Sequence, residues 1–194
     1  MKHLPFIILS LTLTGCITAT PTTPRPTHWA NELKADANFY QVDTHLYRSE
    51  QPIFDDVPAI HAQAIKTIIN LRHTKANDDT ALFGDDITLI KEPLITWRIR
   101  PTDIARVLYL IEKHQKNGSV LVHCRHGADR TGIVIAMYRI IYQGTSIKDA
   151  RDEMRHGDYG YHLIWKNLDN LLNDVAVAQV KAELNRLKTT NPIL

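Results

Sequence analysis

The chain has 194 residues, 44% of them hydrophobic and 23% charged, which excludes wholesale disorder and a polytopic membrane protein and suits a single domain. With 23 basic against 21 acidic residues the formal charge is +2, so there is no global electrostatic footprint for nucleic acid. Two cysteines exclude a disulfide scaffold and a cysteine-rich zinc site.

The N-terminus reads as a targeting segment. Met1-Lys2-His3 is a short positive start, and Leu4 to Leu13 is mostly apolar. That run is shorter than the roughly 20 residues a membrane-spanning helix needs, and it fits the core of a signal peptide. It ends in Leu13-Thr14-Gly15-Cys16, which resembles the lipobox of bacterial lipoproteins. The resemblance implies cleavage before Cys16, a lipid anchor on Cys16, and a signal peptide over residues 1–15. Ile17, standing where Asp would favour inner-membrane retention, points to an exported protein of the outer membrane facing the periplasm. The competing reading is a buried first helix with an incidental cysteine. Residues 16–28 contain TATPTTPRPTH, a Thr/Pro-rich stretch that favours an extended tether over a core. The folded domain is expected over 29–194.

In chain order, Phe39–Val42 and Leu46–Arg48 flank Asp43-Thr44-His45 and predict a hairpin. Pro58–Ala64 fits a short helix with Asp55-Asp56 at its start. Thr67–Leu71 is a buried strand, His73–Gly84 a polar loop, and Ile87–Ile90 a strand stopped by Pro93. Pro101 opens a helix whose Ile104, Val107, Leu108 and Ile111 form one buried face, closed by Asn117-Gly118. Ser119–His123 is the next strand, followed by a helix from about Arg130 to Gln143. Ser146 with Asp149 resembles a capping box opening a third helix to about Met154. Gly157–Gly160 is a turn. Leu163–Lys188 carries helical periodicity that fits one helix or two. Strands alternating with helices predict a single α/β domain with a mainly parallel central sheet flanked by helices.

The stretch His123-Cys124-Arg125-His126-Gly127-Ala128-Asp129-Arg130-Thr131 joins a strand to a helix. Loop amides and the helix N-terminus face one concavity and favour an anion. The same positive potential favours the nucleophilic thiolate of Cys124. Arg130 can grip two phosphate oxygens bidentately, and Gly127 lets the backbone approach a ligand. Thr131 can donate to the sulfur as it leaves. Arg125, His126, Gly127 and Ala128 would line the bound phosphate, and His123 would brace the loop from the strand end.

This loop resembles the His-Cys-x5-Arg-Ser/Thr signature of the cysteine-dependent protein tyrosine phosphatase superfamily. Leu46–Pro52, Ile65–Arg72 and Tyr138–Leu168 resemble its compact bacterial dual-specificity-like members, over roughly residues 38 to 172. The resemblance implies a tyrosine-phosphatase-like fold and hydrolysis of phosphomonoesters through a cysteinyl-phosphate intermediate, with no cofactor and no metal. The alternatives are a phosphoinositide or inositol-phosphate phosphatase, and an inactive phosphate-binding module. The five-residue spacing, Arg130 and Thr131 argue against a sulfurtransferase.

Protonating the leaving group needs a carboxylic acid. The upstream stretch Glu92–Pro101, where many family members carry an Asp, has none. Asp129, inside the loop, resembles the loop Asp of myotubularin-like lipid phosphatases and is the leading candidate acid. Glu92 and Asp103 are the others. Arg98 and Arg100 would reach extra phosphates if they converge on the loop, and Trp97 or Tyr159 would supply an aromatic wall.

Overall fold

The computed structural model describes residues 25–74 and 79–192. The signal peptide, Cys16 and the first part of the tether lie outside the described residues.

Six strands form one sheet: β1 (Asn31–Lys34), β2 (Phe39–Gln41), β3 (Leu46–Ser49), β4 (Ile65–Asn70), β5 (Thr88–Lys91) and β6 (Ser119–His123), in the order β1-β2-β3-β6-β4-β5. The β1–β2 and β2–β3 pairs are antiparallel, while β3, β6, β4 and β5 are parallel neighbours. The expected mainly parallel α/β domain is what forms. β6 lies inside the sheet, and all five of its residues are buried. A strand covered on both faces needs a continuous apolar run, and Val120-Leu121-Val122 supplies it.

Strand alternation sorts the side chains into two cores. Val120 and Val122 join Leu46 and Ile69 against α3 (Pro101–Gln115), α4 (Asp129–Tyr142), α5 (Ile147–His156) and α7 (Asp174–Thr190). Leu121 joins Tyr47, Ile65 and Ile68 against α1 (Val57–Ala62) and α2 (Asp79–Phe83).

Two elements depart from the sequence expectations, and one open alternative is resolved. β1 has no apolar alternation to reveal it; it is an edge strand that the hairpin recruits. The stretch expected as a loop over His73–Gly84 contains α2, one turn anchored by buried Asp79 and Phe83. Tertiary packing stabilises a helix that short, not propensity. The periodicity after Leu163 resolves into α6 (Lys166–Asp169) and α7. The break comes where Asn173 caps α7 by accepting from the Ala176 amide at 3.0 Å.

The parallel strands end in register. Ser49 pairs with His123, His123 with Asn70, and Asn70 with Lys91. Four chain segments therefore leave one edge side by side, and in α/β sheets that edge carries ligand sites.

Candidate active site

Cys124 follows the last residue of β6 and is 2% exposed. The chain then loops to Asp129, where α4 begins. The Ala128 carbonyl accepts from Gly132 at 2.8 Å, closing the first helical turn. None of the backbone amides from Arg125 to Arg130 donates to an acceptor among the described residues. Uncommitted amides beside a helix N-terminus are an anion site by construction. The Thr131 hydroxyl is fully buried and likewise has no partner among the described residues.

Gly127 has φ +66°, and a Cβ there would meet the Ser49 carbonyl carbon and oxygen at 2.7 Å and the Glu50 amide at 2.8 Å. Only glycine lets the loop lie this close to the end of β3. On the same side Gln51 N donates to the Arg125 carbonyl at 3.2 Å. Asn38 Nδ2 donates to the His126 and Tyr159 carbonyls at 2.8 and 2.9 Å.

Beneath the loop lies a buried polar chain. His123 Nδ1 is 3.3 Å from the Cys124 carbonyl, and its Nε2 is 3.3 Å from Asp79 Oδ2. Asp79 also accepts from Gln51 Nε2 and Asn70 Nδ2, both at 2.7 Å, and Gln51 Oε1 accepts from Arg72 at 2.7 Å. Burial pushes the Asp79 carboxyl up, but His123, Gln51 and Asn70 together hold it below the usual carboxylate value. His123 is thus oriented by a carboxylate. Asp79 had been read as part of a loop.

A second buried group stands behind the loop. Arg48, 1% exposed, donates through Nη2 to the Gly127 carbonyl and stacks 3.5 Å from the centroid of Tyr159. Tyr159 hydrogen-bonds Glu153, which is ion-paired with Arg139 at 2.7 Å. Tyr159 therefore supports the loop from inside. Arg48 lies in the Leu46–Pro52 stretch that resembles the family.

The candidate acids separate clearly. Asp129 accepts from the His162 amide at 2.9 Å and sits 3.0 Å from His162 Nδ1. Glu92 is paired with Arg106 at 2.9 Å, and Asp103 with Arg100 and Arg106 at 3.1 and 3.0 Å. Burial raises Asp103, but Arg100 and Arg106 hold it below the ordinary value. Arg98 and Arg100 line a separate cavity of about 320 Å³ with Pro93–Ile95, Asp103 and Arg106. They do not converge on Cys124. Burial, then the neighbouring Arg125 and Arg130, lower the Arg72 guanidinium. His126 is held below the usual imidazole value by burial, then by Arg125 and His162.

A family model described as "Tyrosine phosphatase family" matches residues 35–156, which include the whole loop. The chain belongs to the tyrosine phosphatase family. Within that family it is 32% identical over 138 residues to the dual specificity protein phosphatase TpbA of Pseudomonas aeruginosa, covering 71% of this chain and 62% of TpbA. It is 29% identical over 111 residues to the inositol diphosphatase DSP1 of Oryza sativa subsp. japonica, covering 53% of this chain and 49% of that protein. The chain thus spans less than two thirds of the length of either relative. A crystal structure of P. aeruginosa TpbA superposes with a TM-score of 0.75 at 28% identity, over 82% of this chain and 98% of that one. A TpbA variant crystallised in complex with phosphotyrosine gives 0.76 at 27% identity, over 83% and 98%.

Proposed function

We propose that this family member is a phosphoric monoester hydrolase of the protein tyrosine or dual-specificity type. The observation that carries the reading is Cys124 at the floor of a loop whose amides are uncommitted and whose Arg130 stands in the first turn of α4. The phosphate sits on those amides with Arg130 gripping two oxygens. The Cys124 sulfur attacks phosphorus, the ester oxygen leaves with a proton from Asp129, and a cysteinyl phosphate forms. Water then attacks that intermediate, releasing phosphate and the thiolate. The free Thr131 hydroxyl is available to donate to the departing sulfur. Asp129 is favoured as the acid because Glu92 and Asp103 are each held by arginines outside the loop. TpbA is named a dual specificity protein phosphatase and has been crystallised with phosphotyrosine, which supports the same substrate class here.

A second reading rests on a specific observation. Arg125 and Arg130 belong to the loop, and Arg130 Nη1 donates to the Leu71 carbonyl at 3.4 Å, next to Arg72, a cation density suited to more than one phosphate; the rice relative is named an inositol diphosphatase. A panel of phosphotyrosine peptides, phosphoserine peptides and inositol polyphosphates decides between them. Turnover of the peptides sustains the first reading, and turnover of the inositol phosphates alone replaces it with the second. No turnover of any would reduce the loop to a binding module.

The N-terminal sequence supports export, removal of residues 1–15 and acylation of Cys16, which places the domain at the cell envelope. Acyl groups on Cys16, seen by mass spectrometry of membrane-extracted protein, are the expected result. A cytosolic chain with Met1 intact overturns it.

A further inference from the structure

Six large hydrophobic side chains are strongly exposed among the described residues, and five of them lie on segments tied to the catalytic loop or to one another: Ile53 (51%), Phe54 (74%), Trp97 (60%), Leu163 (66%) and Ile164 (79%). Their placement follows from hydrogen bonds to the loop and its neighbours. Ile53 and Phe54 follow Gln51, whose amide bonds the Arg125 carbonyl. Leu163 and Ile164 follow His162, whose amide bonds Asp129. Asn167 ties that segment to Trp97 by donating to the Thr96 carbonyl at 2.8 Å, and His73 packs edge-on against Trp97 with ring centroids 6.1 Å apart. Exposed Arg98, Arg125 and Lys166 are interleaved with these residues, with Asp55 as an exposed acid beside Phe54. Large apolar side chains exposed together on linked segments mark an interaction surface.

The point where the tether meets the domain indicates what the surface meets. Arg25 donates to the Gly157 carbonyl and the Tyr159 hydroxyl, both at 2.8 Å. The backbone of Tyr159 is bridged to that of His126 through Asn38. The tether therefore joins the domain at Tyr159, whose backbone Asn38 links to the catalytic loop. Between Cys16 and Arg25 the chain can reach at most about 30 Å even when fully extended. An acyl chain on Cys16 would keep this part of the domain within about that distance of the bilayer.

We propose that the apolar rim is a membrane-docking surface that lays the catalytic mouth against the phospholipid bilayer carrying the protein's own anchor. Trp97, Phe54, Leu163 and Ile164 would enter the interface while Arg98, Arg125 and Lys166 meet lipid phosphates. The enzyme would then act on phosphate esters displayed at that surface. The inference draws on the acylation of Cys16 proposed above, and its test reads the two separately.

The test is photo-crosslinking of the full exported chain in intact cells, with Ile164→p-benzoylphenylalanine as probe. Ile164 is largely exposed, so the change leaves packing intact. Asn117→p-benzoylphenylalanine, in the exposed turn before β6 at the opposite end of the strands, is the control. Peptide masses report the adduct at position 164 and the acyl groups on Cys16 independently. The expected result is a phospholipid adduct at 164 in about tenfold excess over that at 117. Equal yields at the two positions, or a protein adduct at 164 in place of lipid, would overturn docking whether or not Cys16 is acylated. A lipid adduct at 164 with unmodified Cys16 would keep the docking surface and remove only the anchor.

Discussion

Arg48 donates from inside the protein to the carbonyl of Gly127, so a fully buried cation on β3 holds the middle of the catalytic loop. Among the described residues no carboxylate is ion-paired with it; it lies instead over the face of Tyr159. Burial lowers its guanidinium, while the charges of Tyr159, Glu153 and Cys124 act to keep it protonated. A buried charge without an ion partner is costly unless something negative comes close. Cys124 thiolate and bound phosphate are the negative groups the loop brings there. Arg48→Met is expected to cut kcat by about 10-fold or more with a smaller change in KM, and Arg48→Lys to recover part of it. Circular dichroism and melting curves check that the fold survives. A well-folded Arg48→Met enzyme with wild-type kcat would remove the role.

Gly127→Ala tests the same contact from the other side. The added methyl would meet backbone of Ser49 and Glu50 at 2.7–2.8 Å, with φ at +66°. Neither partner is a flexible side-chain end that can move away. A loss of about 2–4 kcal/mol of stability, or a displaced and inactive loop, is expected. Urea unfolding together with phosphate-analogue binding measures both, and unchanged values for the two would contradict the close approach.

Cys124→Ser is expected to bring turnover to background while phosphate-analogue binding persists, because the amides and Arg130 remain. Arg130→Lys is expected to lose most activity, since a point charge cannot replace the planar fork. Activity is also expected to withstand chelators and to be lost reversibly on mild oxidation of the thiol. Chelator inhibition reversed by a divalent ion would contradict the thiolate mechanism.

For Asp129 the discriminating measurement is leaving-group dependence. Asp129→Asn is expected to lose about 100-fold on alkyl phosphates and much less on an activated aryl phosphate, whose phenoxide needs no proton. His162→Ala removes the imidazole beside the carboxylate but keeps the backbone amide that bonds it. It should slow alkyl phosphate hydrolysis more than that of the activated aryl phosphate. Equal losses on both substrates for Asp129→Asn would mean that Asp129 only shapes the loop.

Asp79 makes stability depend on pH. Its folded value lies below the ordinary carboxylate value, so its contribution is present above about pH 4 and lost as pH falls toward the folded value. Urea midpoints measured from pH 6 down to pH 3 should fall more steeply for the wild type than for Asp79→Asn. The variant should also lose activity, because His123 loses the carboxylate that orients it. Parallel pH curves for the two proteins would rule out this linkage.

The catalytic loop was legible from local sequence because its chemistry is local. Cys124, Gly127, Arg130 and Thr131 lie within eight consecutive residues, and the apolar run before them and the helix after them fix how those side chains converge. The parallel core was legible for the same reason, since β4 and β6 announce themselves as short β-branched runs. The supporting residues were not, because their partners are distant in sequence. Asp79 meets His123 across 44 positions and Arg48 meets Gly127 across 79, and no spacing rule connects them. Only the in-register ends of four parallel strands bring these groups together. The same packing pairs Glu92 and Asp103 with arginines outside the loop and Asp129 with His162, partners that no sequence spacing announces.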